Sequence, residues 1–229
     1  MRTPGNPAIS AALLTIACAV VIAPIAGAAP DYRSDQMDDL AESGARMVTD
    51  YLIGIGVSAA SLPEMIFIPS GAGVDSQCID VTGDNNQDDR AWNYCPTDNH
   101  VYIGQNTLWD SYRQYGSTGP LSGLAHEYGH YLQSVMGVPK PNTASDTIGN
   151  ENQADCISGA FLGYLRDRAE GSPAQDLGSV EQYLTATASV EAPGRDHGTA
   201  AERIESFELG YAGALPACSR FYPATPLTA

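Results

Sequence analysis

The sequence predicts an α+β domain, mainly helical, with one small β-sheet and an active-site helix. Three observations carry this: apolar residues recur at helical spacing through most of the chain, two short runs rich in β-branched and aromatic residues break that spacing, and a helix-start signature stands near the C-terminus. No repeat or low-complexity tract interrupts the 229 residues.

The first stretch, MRTPGNPAISAALLTIACAVVIAPIAGA, carries one charge, Arg2, ahead of a long apolar run that ends in Ala26-Gly27-Ala28. This is the build of a secretory signal peptide over residues 1–28, with cleavage expected after Ala28 or Ala29. An uncleaved anchor is only just long enough to span a bilayer. A lipid-anchored Cys18 is disfavoured because the apolar run continues past it. The expected product, residues 29–229, is one secreted domain with no stable membrane anchor. Too few residues precede the first strand for a long inhibitory propeptide.

Loss of the leader removes one of the 11 Lys+Arg and none of the 27 Asp+Glu, so the formal charge moves from −16 to −17. That field repels phosphate backbones and anionic membranes and argues against a nucleic-acid partner. Cys18 leaves with the leader, and Cys78, Cys95, Cys156 and Cys218 remain as an even set. In an exported chain such a set implies two disulfides. Of the three possible pairings we expect Cys78 with Cys95, which closes the shortest loop, and Cys156 with Cys218.

From Ser34 to Gly56, Met37, Leu40, Met47, Tyr51, Leu52 and Ile55 fall on one helical face. Met65 to Ile68, closed by Pro69, and Val101 to Ile103, closed by Gly104, read as strands. After Gly119-Pro120, with glycine as expected N-cap and proline as first helical residue, Leu121, Leu124, Ala125, Tyr128, Leu132, Val135 and Met136 mark a helix that Gly137 and Pro139 end. Further helices are expected over 149–168, 179–190 and 199–212. The last opens with Thr199-Ala200-Ala201-Glu202, a capping box.

The chemistry sits in His126-Glu127-Tyr128-Gly129-His130. On a helix the two histidines share a face one turn apart, so both rings can reach a single ion. Glu127, rotated by about 100°, is poorly placed as a ligand but can reach a water on the metal as its base. Two helical histidines alone are often ordinary packing residues, so a third ligand decides the matter. Glu151 and Asp155 in Asn150-Glu151-Asn152-Gln153-Ala154-Asp155 are again one turn apart. One can bind metal while the other accepts the remaining N–H of a ligand histidine, and Asn150 can do the same for the second histidine. A solvated helix start would use the same residues.

HEYGHYLQ, ENQADCISGAF, HGTAAERIESFELGY and the Tyr94-Cys95-Pro96-Thr97-Asp98 segment occur in an order similar to that of the bacterial neutral zinc metallopeptidase family, with the gluzincin pattern of thermolysin-type enzymes. The likeness covers about residues 94–212 and is looser before them. A metzincin-type third histidine is missing, since position 136 is methionine. The resemblance implies a zincin-like fold, a Zn²⁺ cofactor on His126, His130 and Glu151, a bound water deprotonated by Glu127, and a peptide or protein substrate. It also draws attention to His197 as a donor to the developing oxyanion, with Arg203 orienting it or binding a nearby acid. Val101 to Gly104 is expected, by analogy, as the edge strand that receives substrate.

Other readings are weaker. Asp84 to Asp89 has the oxygen spacing of a calcium loop, but Asp89 and Cys95 replace its required glycine and glutamate, which leaves a polar disulfide loop. His100 reads as a structural or surface residue. No G-x-S-x-G elbow is present. The alternative from another class is a secreted, non-catalytic binding or structural protein with a zinc-stabilised fold. Such a site has no need of Glu127.

Overall fold

In the computed structural model, which describes residues 32–79, 83–168, 174 and 176–228, the expected α+β architecture is present. The expected leader and its cleavage site lie outside the described residues, and Tyr32 to Ala229 form one unit. Among the described residues no helix is long and apolar enough to cross a membrane.

Helix α1 (Tyr32–Gly54) leads through a 3-10 turn into β1 (Glu64–Ile68). Its buried stripe of Met37, Ala41, Ala45, Val48, Tyr51 and Leu52 follows the predicted periodicity. Strands β2 (Gly73–Asp75) and β3 (Asn86–Asp88) form a small antiparallel pair, and β4 (Trp92–Cys95) and β5 (His100–Gly104) complete the main sheet. The main sheet has the order β1-β5-β4, with β1 parallel and β4 antiparallel to β5.

The sheet corrects one expectation. Val101 to Gly104 lies in the centre, not at the edge, because both its neighbours pair with it. Its backbone groups are committed on both sides, and β4 is the free edge on the side of the chemistry. Strands β2, β3 and β4 and helix α2 (Gln105–Tyr115) lack enough apolar periodicity to stand out in sequence.

Helix α3 (Thr118–Met136) carries the histidine motif and is buried over most of its length. Its N-cap is Ser117, so Gly119 and Pro120 lie inside the first turn, two positions further in than expected. Helix α4 (Ala144–Arg166) begins earlier than the apolar pattern suggests, because Thr143 and Asp146 form a capping box. Helices α5 (Leu177–Ala186) and α6 (Ala200–Ala217) follow, and α6 opens on the predicted box of Thr199 and Glu202. α6 breaks at Ala214 (φ 56°), two residues before Pro216, whose ring cannot accept a continuous helix.

Helices α4 and α6 meet backbone to backbone. A Cβ at Gly159 would lie 2.0 Å from the Phe207 carbonyl oxygen, and one at Gly210 would lie 1.8 Å from that of Cys156. The Cys156–Cys218 disulfide ties the same helices, and Cys78–Cys95 ties the β2–β3 connection to β4, as expected from the spacing. The core joins α1, α3, α4 and α6 through Leu52, Leu124, Tyr128, Phe161, Leu162 and Phe207.

Candidate metal centre

Most of α3 is buried by apolar or small residues, yet Ser122, His126, Glu127 and Gln133 are buried with them. Buried polar side chains persist only where partners satisfy them, so those partners define the site. His126 Nδ1 lies 2.8 Å from Asp155 Oδ1, and His130 Nδ1 lies 2.9 Å from Gln133 Oε1. The Gln133 Nε2 donates to the Asn150 carbonyl (2.7 Å) and to Gln153 Oε1 (3.1 Å), so Oε1 is the acceptor and His130 Nδ1 the donor. Asp155 is an acceptor in turn. Both rings therefore carry hydrogen on Nδ1 and turn Nε2 inward, where each has a lone pair to give once any proton there has left.

Those lone pairs converge. His126 Nε2 and His130 Nε2 are 3.1 Å apart, and Glu151 Oε2 is 3.1 Å from the first while Oε1 is 3.4 Å from the second. Tetrahedral zinc with bonds near 2.0–2.1 Å places its ligand atoms about 3.3 Å apart, so these separations fit it. The three residues are the one cluster among the described residues that can hold a metal ion. The donor set of two imidazoles and a carboxylate also suits zinc.

Asp155 is wholly buried and held on two sides. Arg203 Nε and Nη2 donate to its two oxygens at 2.8 Å, and Arg203 Nη1 donates to the Thr187 carbonyl and hydroxyl. Burial alone would raise Asp155, but Arg203 and then His126 outweigh it and hold its carboxyl below the usual range. Burial would lower His126, but Asp155 and Glu151 prevail and lift it to about 10. Burial would likewise raise Glu151, and His130 and His126 hold it far below the carboxylate range. A metal entering here takes the place of the proton that His126 otherwise keeps.

Glu127 stands apart from this ligand set. Its Oε2 accepts the backbone N–H of Tyr94 at 2.9 Å, so the edge strand β4 holds the carboxylate in place. Burial pushes its carboxyl up, and the two histidines pull it partway back. His197 Nε2 lies 3.3 Å from Glu151 Oε2, and its side chain is 39% exposed. His126, Glu127, His197, Tyr183 and Arg203 line one cleft.

Two expectations change. Asn150 meets the network through its backbone carbonyl, and the partner of His130 is Gln133, one turn along the same helix. Arg203 binds an acid, Asp155, and does not orient His197. Sequence reasoning missed Gln133, although a buried glutamine three residues after a ligand histidine is a readable i,i+3 signal. The backbone of Tyr94 leaves no such signal.

No protein-family model and no solved structure matches the chain. Among curated proteins it is similar to Rv2575 of Mycobacterium tuberculosis (strain ATCC 25618 / H37Rv), with 29% identity across 52% of this chain and 50% of that protein. It is also similar to YpfJ of Escherichia coli (strain K12), with 26% identity across 56% of this chain and 53% of that protein. Both are described as uncharacterized proteins. The chain spans about half the length of the curated relatives it matches.

Proposed function

We propose that the protein is a secreted zinc-dependent peptidase. The observation that carries this reading is the division of labour on α3: two Nε2 atoms converge with Glu151, while Glu127 is buried beside them and bonded elsewhere. A structural site would close on a fourth side chain and would have no use for a separately held carboxylate. When bound, Zn²⁺ supplies a Lewis acid and makes water a nucleophile near neutral pH.

The rest of the chemistry belongs to the chain. Tyr94 N–H occupies Glu127 Oε2, so Oε1 is the oxygen free to take the proton of the attacking water and pass it to the leaving amine. Burial strengthens Glu127 as a base. We assign to His197, which lies 3.3 Å from Glu151 Oε2, the donation to the oxygen that gains charge on the substrate carbonyl. Asp155 and Arg203 keep His126 oriented while the reaction proceeds. An extended peptide can pair with the free edge of β4, whose Tyr94 N–H already faces the base. The two disulfides support an oxidising, extracellular setting.

The test is metal analysis with peptide hydrolysis. Glu127→Gln should keep zinc at wild-type stoichiometry while hydrolysis falls by about 10³-fold or more. A fully active variant would remove Glu127 from the mechanism. Glu151→Ala should lose zinc on dialysis, and unchanged zinc content would mean another third ligand.

A further inference from the structure

We infer that the cleft beside the metal centre is a side-chain pocket selecting an amide residue, asparagine or glutamine, next to the scissile bond, with the Trp92 indole N–H as the recognising donor. This rests on the peptidase reading above. The cleft has a volume of about 190 Å³, the scale of a single side chain, and His126 and Glu127 form one wall. Trp92 forms another, and its Nε1 is buried without a hydrogen-bond partner among the described residues. A buried donor without an acceptor is destabilising, which makes it a natural point for a ligand to bind.

The placement ties the indole to the base. Trp92 stands two residues before Tyr94 on β4, so both project from the same face, and the Tyr94 amide holds Glu127. A Cβ at Gly123, one turn before Glu127, would lie 2.2 Å from the Tyr183 hydroxyl and 3.1 Å from Trp92 Cζ2. Glycine there lets the Tyr183 hydroxyl close onto α3 beside Trp92, which sets the two aromatic walls of the cleft. Trp92 also borders a second cavity, where Ser117 is the one other polar side chain among residues such as Leu40, Met47 and Leu121, so the cleft offers a polar ligand far more partners.

The chemistry of the remaining walls narrows the ligand. Asp155 is paired with Arg203 and His126, and Arg203 Nη1 with Thr187, while Glu127 and His197 are the residues assigned to the reaction. A lysine side chain entering the pocket would take up the Glu127 carboxylate that the reaction needs, and a glutamate side chain would meet the like charge of that carboxylate. An aliphatic side chain would leave the indole N–H unpaired. An amide offers its carbonyl to Trp92 and its NH₂ to the hydroxyls of Ser111 and Ser122, which line the same space.

The chain has two tryptophans, so an ¹⁵N-indole spectrum holds two signals, and Trp109→Phe assigns that of Trp92. Zinc-loaded Glu127→Gln protein would be titrated with acetyl-Ala-Ala-Gln-Ala-Ala-amide and with its leucine counterpart. The glutamine peptide should move the Trp92 signal and bind about 10-fold or more tightly than the leucine peptide. Zinc-loaded wild type should cleave beside glutamine with a similar preference in kcat/KM, and Trp92→Phe should bring that ratio close to one. Equal binding of the two peptides, or a Trp92 signal that stays still on binding, overturns the pocket. Equal cleavage of both peptides overturns it too and leaves the peptidase reading standing. Selective binding with no cleavage by wild type sinks the peptidase reading and keeps the pocket.

Discussion

Asp155 does two tasks with one carboxylate: it orients the His126 ring and neutralises the buried Arg203 guanidinium. Replacing it separates the two. Asp155→Asn keeps the shape but leaves Arg203 as an unpaired buried cation, which should cost about 3–5 kcal/mol in chemical denaturation. Zinc affinity, read by chelator competition, should fall by about 10–100-fold because the His126 tautomer is no longer fixed. A variant with wild-type stability would show that the Thr187 oxygens alone are enough for the Arg203 charge. His197→Ala should leave zinc content unchanged and lower kcat by about 10²-fold if it meets the oxyanion. At this scale the ligand residues were legible in sequence because a one-turn spacing puts His126 beside His130 and Glu151 beside Asp155 on any helix. The partner of His130 was misread as Asn150, because nothing in the sequence shows that Asn150 turns its backbone carbonyl to the network while Gln133 takes the ring.

Helix packing raises a different set of expectations. Gly159→Ala puts a methyl 2.0 Å from the Phe207 carbonyl, so α4 and α6 must separate, and stability should drop by about 1–3 kcal/mol despite the better helix propensity of alanine. The Cys156–Cys218 bridge closes 62 residues and Cys78–Cys95 closes 17, so the chain-entropy relation assigns them about 4 and about 3 kcal/mol. Removing the first pair should therefore lower the denaturation midpoint more than removing the second. At the start of α6, hydrogen bonding from Arg195 holds the Glu202 carboxyl down at about 2 against an ordinary 4.5. A depressed folded value contributes stability above the ordinary value and loses it as pH falls towards the folded one. The difference in melting temperature between wild type and Glu202→Ala should be full above pH 4.5 and fade towards pH 2. Much of this level was legible: the capping box at Thr199, the α1 stripe and both main strands stand where local pattern places them. Helix α2 and β4 were not, since their residues alternate too weakly to separate them from loop.

For the molecule as a whole, the fold and the candidate metal centre draw on different residues. The core holds α1, α3, α4 and α6 together without any of the three candidate ligands, and the Cys156–Cys218 disulfide ties α4 to the end of α6. Chelation should abolish hydrolysis and lower the melting temperature, as loss of any tightly bound ligand does, while the far-UV spectrum stays helical. Collapse of the helical signal on chelation would show that zinc also holds the fold. The sequence by itself determined the fold class, the helix that bears the histidines and the spacing of all three ligands, because these follow from periodicities within single elements. Only the tertiary structure decided which strand is the free edge, that Gln133 holds His130, that β4 anchors Glu127 through a backbone amide, and that Trp92 and Tyr183 stand across Gly123. Most of those relations join residues far apart in sequence, or involve backbone atoms that every residue carries, so no local pattern records them. The stretch that looked most like a substrate-binding edge, Val101 to Gly104, became the middle of the sheet for that reason: strand order is set by which partners pair, not by the strand's own residues.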